Sequence, residues 1–246
     1  MVFSSIIFIF RFLPIMFIIY YLTPNKFKNL SLLILSLVFY SWGEPKYFII
    51  MFLSIVVDYS ISIFIEKYRE KKIISKVLLF CSLIFNLGML ILFKYLNFFI
   101  ENINLVLGTS LSLIYLTLPL GISFYTFQTM SYTIDVYRGK IKAERNIINF
   151  GAYVCLFPQL IAGPIVKYSE IKNELKNRKI KVNQVEEGIT EFIIGMGKKV
   201  LIANNIGLLW NEIQELGISY VSTPLLWLGV IAFSFQIYFD FSGYSS

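Results

Sequence analysis

Long apolar blocks alternate with short polar loops along these 246 residues. A helix rises 1.5 Å per residue, so about 20 apolar residues cross a bilayer core. By that measure the pattern predicts membrane spans over roughly 3–22, 28–43, 46–65, 77–100, 113–137, 188–210 and 220–241. The first block lacks a basic leader and a small-residue cleavage site, so it reads as a retained span. Gly43-Glu44-Pro45 marks a tight turn between the second and third spans. Pro14 and Pro119 fall inside spans, where neighbouring helices can satisfy the freed carbonyls. Tyr20, Tyr21, Tyr40, Trp42 and Tyr47 sit near span ends, as an interfacial aromatic belt requires.

The loops carry most of the 22 basic residues, and on alternate sides. Dense groups follow the first, third and fifth spans and the stretch after residue 163, where Lys167, Lys172, Lys176, Arg178, Lys179 and Lys181 lie. The positive-inside rule then places these loops in the cytoplasm and the N-terminus outside, in a multi-pass protein of the cell membrane. One apolar stretch, 147–163, conflicts with a simple crossing, because the basic residues after it would end up outside. It also holds Gly151 and Pro158 and ends in Gly163-Pro164. A re-entrant hairpin resolves the conflict and predicts a cavity near Phe157 to Pro164, since irregular backbone at that depth must be buried in protein or line water. An ordinary span with a tolerated basic loop is the alternative.

Composition agrees with the pattern. The chain is 57% hydrophobic and only 15% charged, with a net charge of +7. That excludes an ordinary soluble globule, and it assigns the basic balance to loops at a lipid bilayer instead of to nucleic acid. The expected architecture is all-α, a single polytopic transmembrane domain over residues 1–246. The two cysteines, Cys81 and Cys155, lie in apolar runs and read as inert thiols. There is no histidine, so neither a Ser/His nor a Cys/His mechanism can be written from these residues, and no metal-ligand or cofactor pattern is present.

Polar groups inside apolar blocks are costly, and they face a partner helix or a cavity. Asp58 lies well within the third span. In the fifth, Gln128, Ser131 and Asp135 fall on one helical face, which Gly121 and Phe124 extend. Such a stripe serves either helix packing or a substrate path. Gln159 lies in the re-entrant stretch. Lys198 and Lys199 are adjacent in an apolar block, at the interface or facing anionic groups such as a phosphate-bearing carrier. Asp240 closes the last span.

Four stretches, in order, resemble the membrane-bound O-acyltransferase family, in its alginate O-acetyltransferase and D-alanyl-teichoic-acid branch. They are Leu118–Gly139 (LPLGISFYTFQTMSYTIDVYRG), Phe157–Val166 (FPQLIAGPIV), Gly195–Asn204 (GMGKKVLIAN) and Phe235–Tyr244 (FQIYFDFSGY). The Phe39–Pro45 hairpin also fits. The resemblance implies a helical ring around a tunnel and acyl transfer from a thioester, either acetyl-CoA or an acyl-carrier protein. The implied acceptor is a polysaccharide, a teichoic acid or an extracytoplasmic acyl-relay protein. The wording of the first two stretches is closer to the polysaccharide O-acetylation type.

The family's catalytic histidine follows the FDFSGY motif, so the resemblance assigns no catalytic residue here. It makes Asp58, Gln128, Ser131, Asp135, Gln159, Lys198, Lys199 and Asp240 candidates for lining the tunnel or holding its walls. It also implies an N-terminal portion of the enzyme, inactive without a base to deprotonate the attacking hydroxyl. Two other classes remain open on the residues alone: a transporter or channel subunit using the polar stripe, and a non-catalytic scaffold for envelope enzymes.

Overall fold

The computed structural model of the chain describes residues 4–160, 163, 166–178 and 182–245. All the regular elements among them are helices: α1 (Phe8–Leu22), α2 (Lys28–Gly43), α3 (Phe48–Lys67), α4 (Lys72–Leu107), α5 (Ile122–Tyr137), α6 (Ile147–Cys155), α7 (Phe157–Leu160), α8 (Tyr168–Lys176), α9 (Val182–Leu216) and α10 (Thr223–Ser245). Four of them, α3, α4, α9 and α10, are long and apolar enough to cross a membrane. The chain is thus an all-α polytopic membrane protein.

The helix boundaries correct several expectations. The predicted span over 113–137 is helical only from Ile122. Pro119 supplies no N–H, and Gly121 takes φ +71°, a left-handed conformation that opens the helix. A Cβ on Gly121 would lie 2.3 Å from the Leu160 carbonyl oxygen, so this turn also needs glycine for close approach. The predicted 77–100 span extends to 36 residues, roughly 54 Å at 1.5 Å per residue, and ends at Gly108, where φ is +64°. The predicted 188–210 span grows likewise to 35 residues. Each of these long helices contains a π-helical turn, at Ile91–Tyr95 and at Lys198–Ala203.

Two compact units divide the chain. The first comprises Ile15–Ile161 and Ile165–Asn177. In it α3, α4 and α5 pack against one another, while α6 lies against α2, α3 and α5. Tyr40, Met51, Ile55, Tyr125, Tyr132, Phe150 and Tyr153 fill the interior. Polar side chains are buried among them, whereas Ile73, Phe80 and Ile84 of α4 are exposed. Apolar surface outward and polar groups inward is the arrangement that lipid demands, because lipid cannot satisfy a polar group.

The stretch 147–163 is broken, as its glycine and proline suggested. The Asn146 side chain caps α6 by accepting the Ile148 N–H at 2.9 Å. The helix stops after nine residues, roughly 13 Å, too short to cross a bilayer. Pro158 cannot continue its ladder, and the chain turns at Leu156 into the four-residue α7. The expected cavity near Phe157 to Pro164 falls partly on residues outside those described; among the described ones, Phe157 and Leu160 are buried in packing. Phe157 packs its ring at a tilt against Phe39, and its N–H donates to Ser36 Oγ at 3.3 Å. Residues 161, 162, 164 and 165 lie outside the described residues, as do Lys179 and Lys181.

The second unit comprises Val2–Pro14, Ala162–Pro164 and Arg178–Ser246. Here α9 packs along α10 through glycines. A Cβ on Gly207 would meet the Gln236 side chain at 2.6 Å, and one on Gly243 would meet the Gly195 carbonyl oxygen at 2.7 Å. Small residues let membrane helices approach to this distance.

Gly121→Ala is expected to destabilise the first unit by about 2 kcal/mol or more, from the left-handed φ together with the clash at Leu160. Thermal unfolding in neutral detergent checks this, with Gly88→Ala, whose Cβ would meet nothing within 4 Å, as the control.

Candidate functional site

Asp58 is the centre of a buried polar network. Its side chain is fully buried on α3, facing α4 and α5. Ser82 Oγ donates to Oδ1 at 2.5 Å, and Asn86 Nδ2 reaches Oδ1 and Oδ2 at 3.1 and 2.9 Å. Thr129 Oγ1 donates to Asn86 Oδ1 at 3.3 Å, which brings α5 into the network. Ser82 and Asn86 are four residues apart, so both fall on the α4 face that meets Asp58. Every one of these groups would otherwise be an unsatisfied polar atom in an apolar interior.

α5 presents two polar faces, one of them carrying the expected Gln128. Gln128, Ser131 and Asp135 do not act as one stripe. Gln128 is buried and turned to the broken segment, with its Nε2 3.0 Å from the Tyr153 carbonyl oxygen and 3.5 Å from Gln159 Oε1. Ser131 is half-buried, and Asp135 pairs with Lys140 at 3.7 Å beyond the helix end. The fully buried hydroxyl stripe is Thr126, Thr129 and Thr133 instead. Helical geometry explains the shift: α5 is covered by α3 and α4 on one side and α6 on another, so two faces are buried.

A second cluster ties the loop after α5 to α8. Glu144 is buried. Its Oε1 accepts the N–H groups of Arg145 and Asn146, both at 3.1 Å. Its Oε2 accepts the Tyr168 hydroxyl at 2.5 Å and lies 3.2 Å from Lys176 Nζ. Its own N–H donates to the Tyr132 hydroxyl at 2.7 Å. Burial works against the charge, but the bonds from Tyr168, Asn146 and Lys176 outweigh it and hold this carboxyl below its usual range. Tyr132, Phe150, Tyr153 and Tyr168 pack their rings beside it.

In the second unit, Lys199 Nζ donates to Asp240 Oδ1, joining the π-turn of α9 to α10. The pair lies close to the tight Gly195–Gly243 approach, where Lys198 Cβ is 3.5 Å from the position a Gly243 Cβ would take. π-Turns recur at functional sites because the extra residue turns side chains out of the regular helical register. Two motif stretches thus meet here, and Lys199 faces a carboxylate of its own chain.

The candidates therefore fall in four places: Asp58 in the α3–α4–α5 interior, Gln128 and Gln159 at the broken segment, Ser131 and Asp135 toward the C-terminal end of α5, and Lys198, Lys199 and Asp240 in the second unit. Glu144, Tyr168, Ser82 and Asn86 escaped sequence reasoning. The spacing of Ser82 and Asn86 on one face of an apolar helix is a signal that could have found them. Nothing local marks Glu144, whose partners lie up to 32 residues away. Among the described residues no group of three or more His, Cys, Asp or Glu could hold a metal ion.

These features define a helical membrane chain with a polar interior and an interrupted helix. Its relatives give it more particular kinship. Over its full length it is 39% identical to a protein of Pseudomonas syringae pv. tomato named alginate O-acetylase AlgI, covering 48% of that protein. The match to the AlgI of Pseudomonas aeruginosa is also 39% over 100% of this chain and 48% of the relative. A Helicobacter pylori protein named peptidoglycan O-acetyltransferase is 32% identical over 99% of this chain and 52% of its own length. The chain thus spans about half the length of the curated relatives it matches. No family model matches it, and no solved structure does. The resemblance stated from the four motifs, to the alginate O-acetyltransferase branch, is borne out by these relatives.

Because the folded-state pKa of Glu144 is depressed, the carboxylate contributes stability that is present above its unfolded value and lost as pH falls through the folded one. Glu144→Gln is expected to lower stability at pH 7 and to flatten the loss of stability below about pH 4, the ordinary carboxylate range. Thermal unfolding of both proteins across pH 3 to 7 checks it.

Proposed function

We propose that these residues form part of a membrane O-acetyltransferase that modifies an envelope or extracellular polysaccharide. The observation that carries this is the 39% identity, over all of this chain and 48% of each relative, to proteins named alginate O-acetylase AlgI. Transfer takes an acetyl group from a thioester, with acetyl-CoA or an acyl-carrier protein as donor. The acceptor is a polysaccharide hydroxyl or the hydroxyl of a relay protein. On this reading the protein lies in the cell membrane with its N-terminus outside and its basic loops inside, as the loop charges support.

The chemistry divides the labour. A hydroxyl attacking a thioester must lose its proton to a base as the carbon–oxygen bond forms and the thiolate leaves. These 246 residues contain no histidine. Asp58 is fully engaged by Ser82 and Asn86, and Asp240 is held by Lys199, so neither is placed to serve as a free base. We assign these residues to the walls of the enzyme: Asp58 and Glu144 fix helix positions, Gln128 and Gln159 steady the broken segment, and Lys199 with Asp240 ties the π-turn of α9 to α10.

The Helicobacter pylori relative supports peptidoglycan as a second acceptor class. The test uses the chain in proteoliposomes with radiolabelled acetyl-CoA and polymannuronate. No transfer is expected from the 246 residues alone. Transfer is expected when they are joined to the portion of the Pseudomonas aeruginosa relative that they do not match. Acetylation by the chain alone contradicts the division of labour, and an inserted but inert chimera contradicts the proposed activity.

A further inference from the structure

The polar end of α4 carries a combination that neither the buried networks nor acyl transfer uses. The α3–α4 turn is only four residues long, Tyr68 to Lys71, and joins two helices able to cross a membrane. Lys71 on the turn, Lys67 at the end of α3, and Lys72 and Lys76 at the start of α4 are exposed, and among the described residues none of them pairs with a carboxylate. The acids nearby are mostly spent: Glu66 is held by Arg145 at 2.7 Å, Asp135 by Lys140 and Glu144 by Lys176, while exposed Glu70 offsets one charge. Lys67 and Lys71 flank the Tyr68 ring at 5.6 and 5.9 Å from its centroid, a tyrosine placed as an interface anchor would be.

The turn is also fixed in place. Arg69 Nη2 donates to the Val136 carbonyl oxygen at 2.9 Å, and the guanidinium lies 3.7 Å from where a Cβ on Gly139 would be. Tyr59 donates to the Arg145 carbonyl oxygen at 2.5 Å, pinning the neighbouring loop.

Directly along the helix from these lysines runs an apolar groove of about 530 Å³, lined by Ile73, Lys76, Val77, Phe80, Cys81 and Ile84. Apart from Lys76, which lies three residues in from its Ile73 end, its lining is apolar, and it follows a single face of α4 for three turns. We propose that this groove and its lysine cap bind one anionic phospholipid. The phosphate is held by Lys72 and Lys76, and an acyl chain lies along Ile73, Val77, Phe80 and Ile84. The occupant follows from complementarity: an anionic head on an apolar tail matches a basic cap on an apolar groove at the end of a membrane helix. An acidic protein would meet the charge but leave the groove unfilled.

Titration of fluorescent phosphatidylglycerol into the purified chain in neutral detergent tests this, with phosphatidylcholine as the zwitterionic comparison. Phosphatidylglycerol is expected to bind the more tightly, with salt-dependent affinity. K72Q/K76Q is expected to weaken it by about 30-fold, from the usual surface worth of two cations. K72R/K76R should restore it, and thermal unfolding shows that each variant is folded. Equal affinity for the two lipids, or no change in K72Q/K76Q, overturns the proposal. Displacement of the lipid by millimolar inorganic phosphate overturns it in favour of a free-anion site. Retention of an acidic carrier protein that excess phosphatidylglycerol fails to displace assigns the lysines to protein docking instead. None of these readouts depends on acetyl transfer, so failure here leaves the proposed activity standing.

Discussion

A carboxylate buried among membrane helices must find all of its partners inside the protein, and Asp58 does so. Ser82, Asn86 and Thr129 come from two other helices to meet it or its partner, so α3, α4 and α5 are fixed in rotation as well as in contact. Apolar packing in lipid is weakly directional, because a leucine facing another helix and one facing an acyl chain are nearly equivalent. A hydrogen-bonded polar network is directional, and a rotation of any one helix would orphan a buried group. The rest of the first unit builds on this: α6 lies against α3 and α5, and Gln128 reaches from α5 to the end of α6 at Tyr153.

Outside this interior a different device holds the loops. Glu144 gathers two backbone N–H groups, a phenol and an ammonium, and so joins the α5–α6 loop to α8. The second unit uses close glycine contacts and the Lys199–Asp240 pair. Each device leaves its charged groups engaged, which suits walls around a reaction better than groups that perform it. Acyl transfer needs a proton acceptor of suitable pKa, and an engaged carboxylate is poorly placed for that role.

The sequence made the helices legible because length and apolarity alone decide a membrane span. Asp58 was also legible, since a lone carboxylate in Ser54–Ser60 has few explanations in lipid. The broken stretch at 147–163 showed itself through Gly151, Pro158 and the charge conflict. What escaped depends on tertiary context. Periodicity selected Gln128, Ser131 and Asp135 as one stripe, whereas packing on two sides of α5 buries Gln128 and the threonines and leaves Asp135 to a loop lysine. Pro119 was tolerated on paper inside a span, but with Gly121 it starts the helix late. Glu144 went unread, because its burial depends on Tyr168 and Lys176, which arrive from another helix.

Hydrogen–deuterium exchange on the chain in nanodiscs, comparing the natural protein with Asp58→Ala and Asp58→Asn, tests whether one network organises the first unit. Asp58→Ala is expected to raise exchange together in the segments around residues 54–62, 79–90 and 125–134, with Asp58→Asn, which keeps one of the two acceptor oxygens, intermediate between Asp58→Ala and the natural protein. Exchange in α10 should stay unchanged in both. A change confined to the residues next to position 58, or none at all, would mean that α3, α4 and α5 hold together without their shared carboxylate.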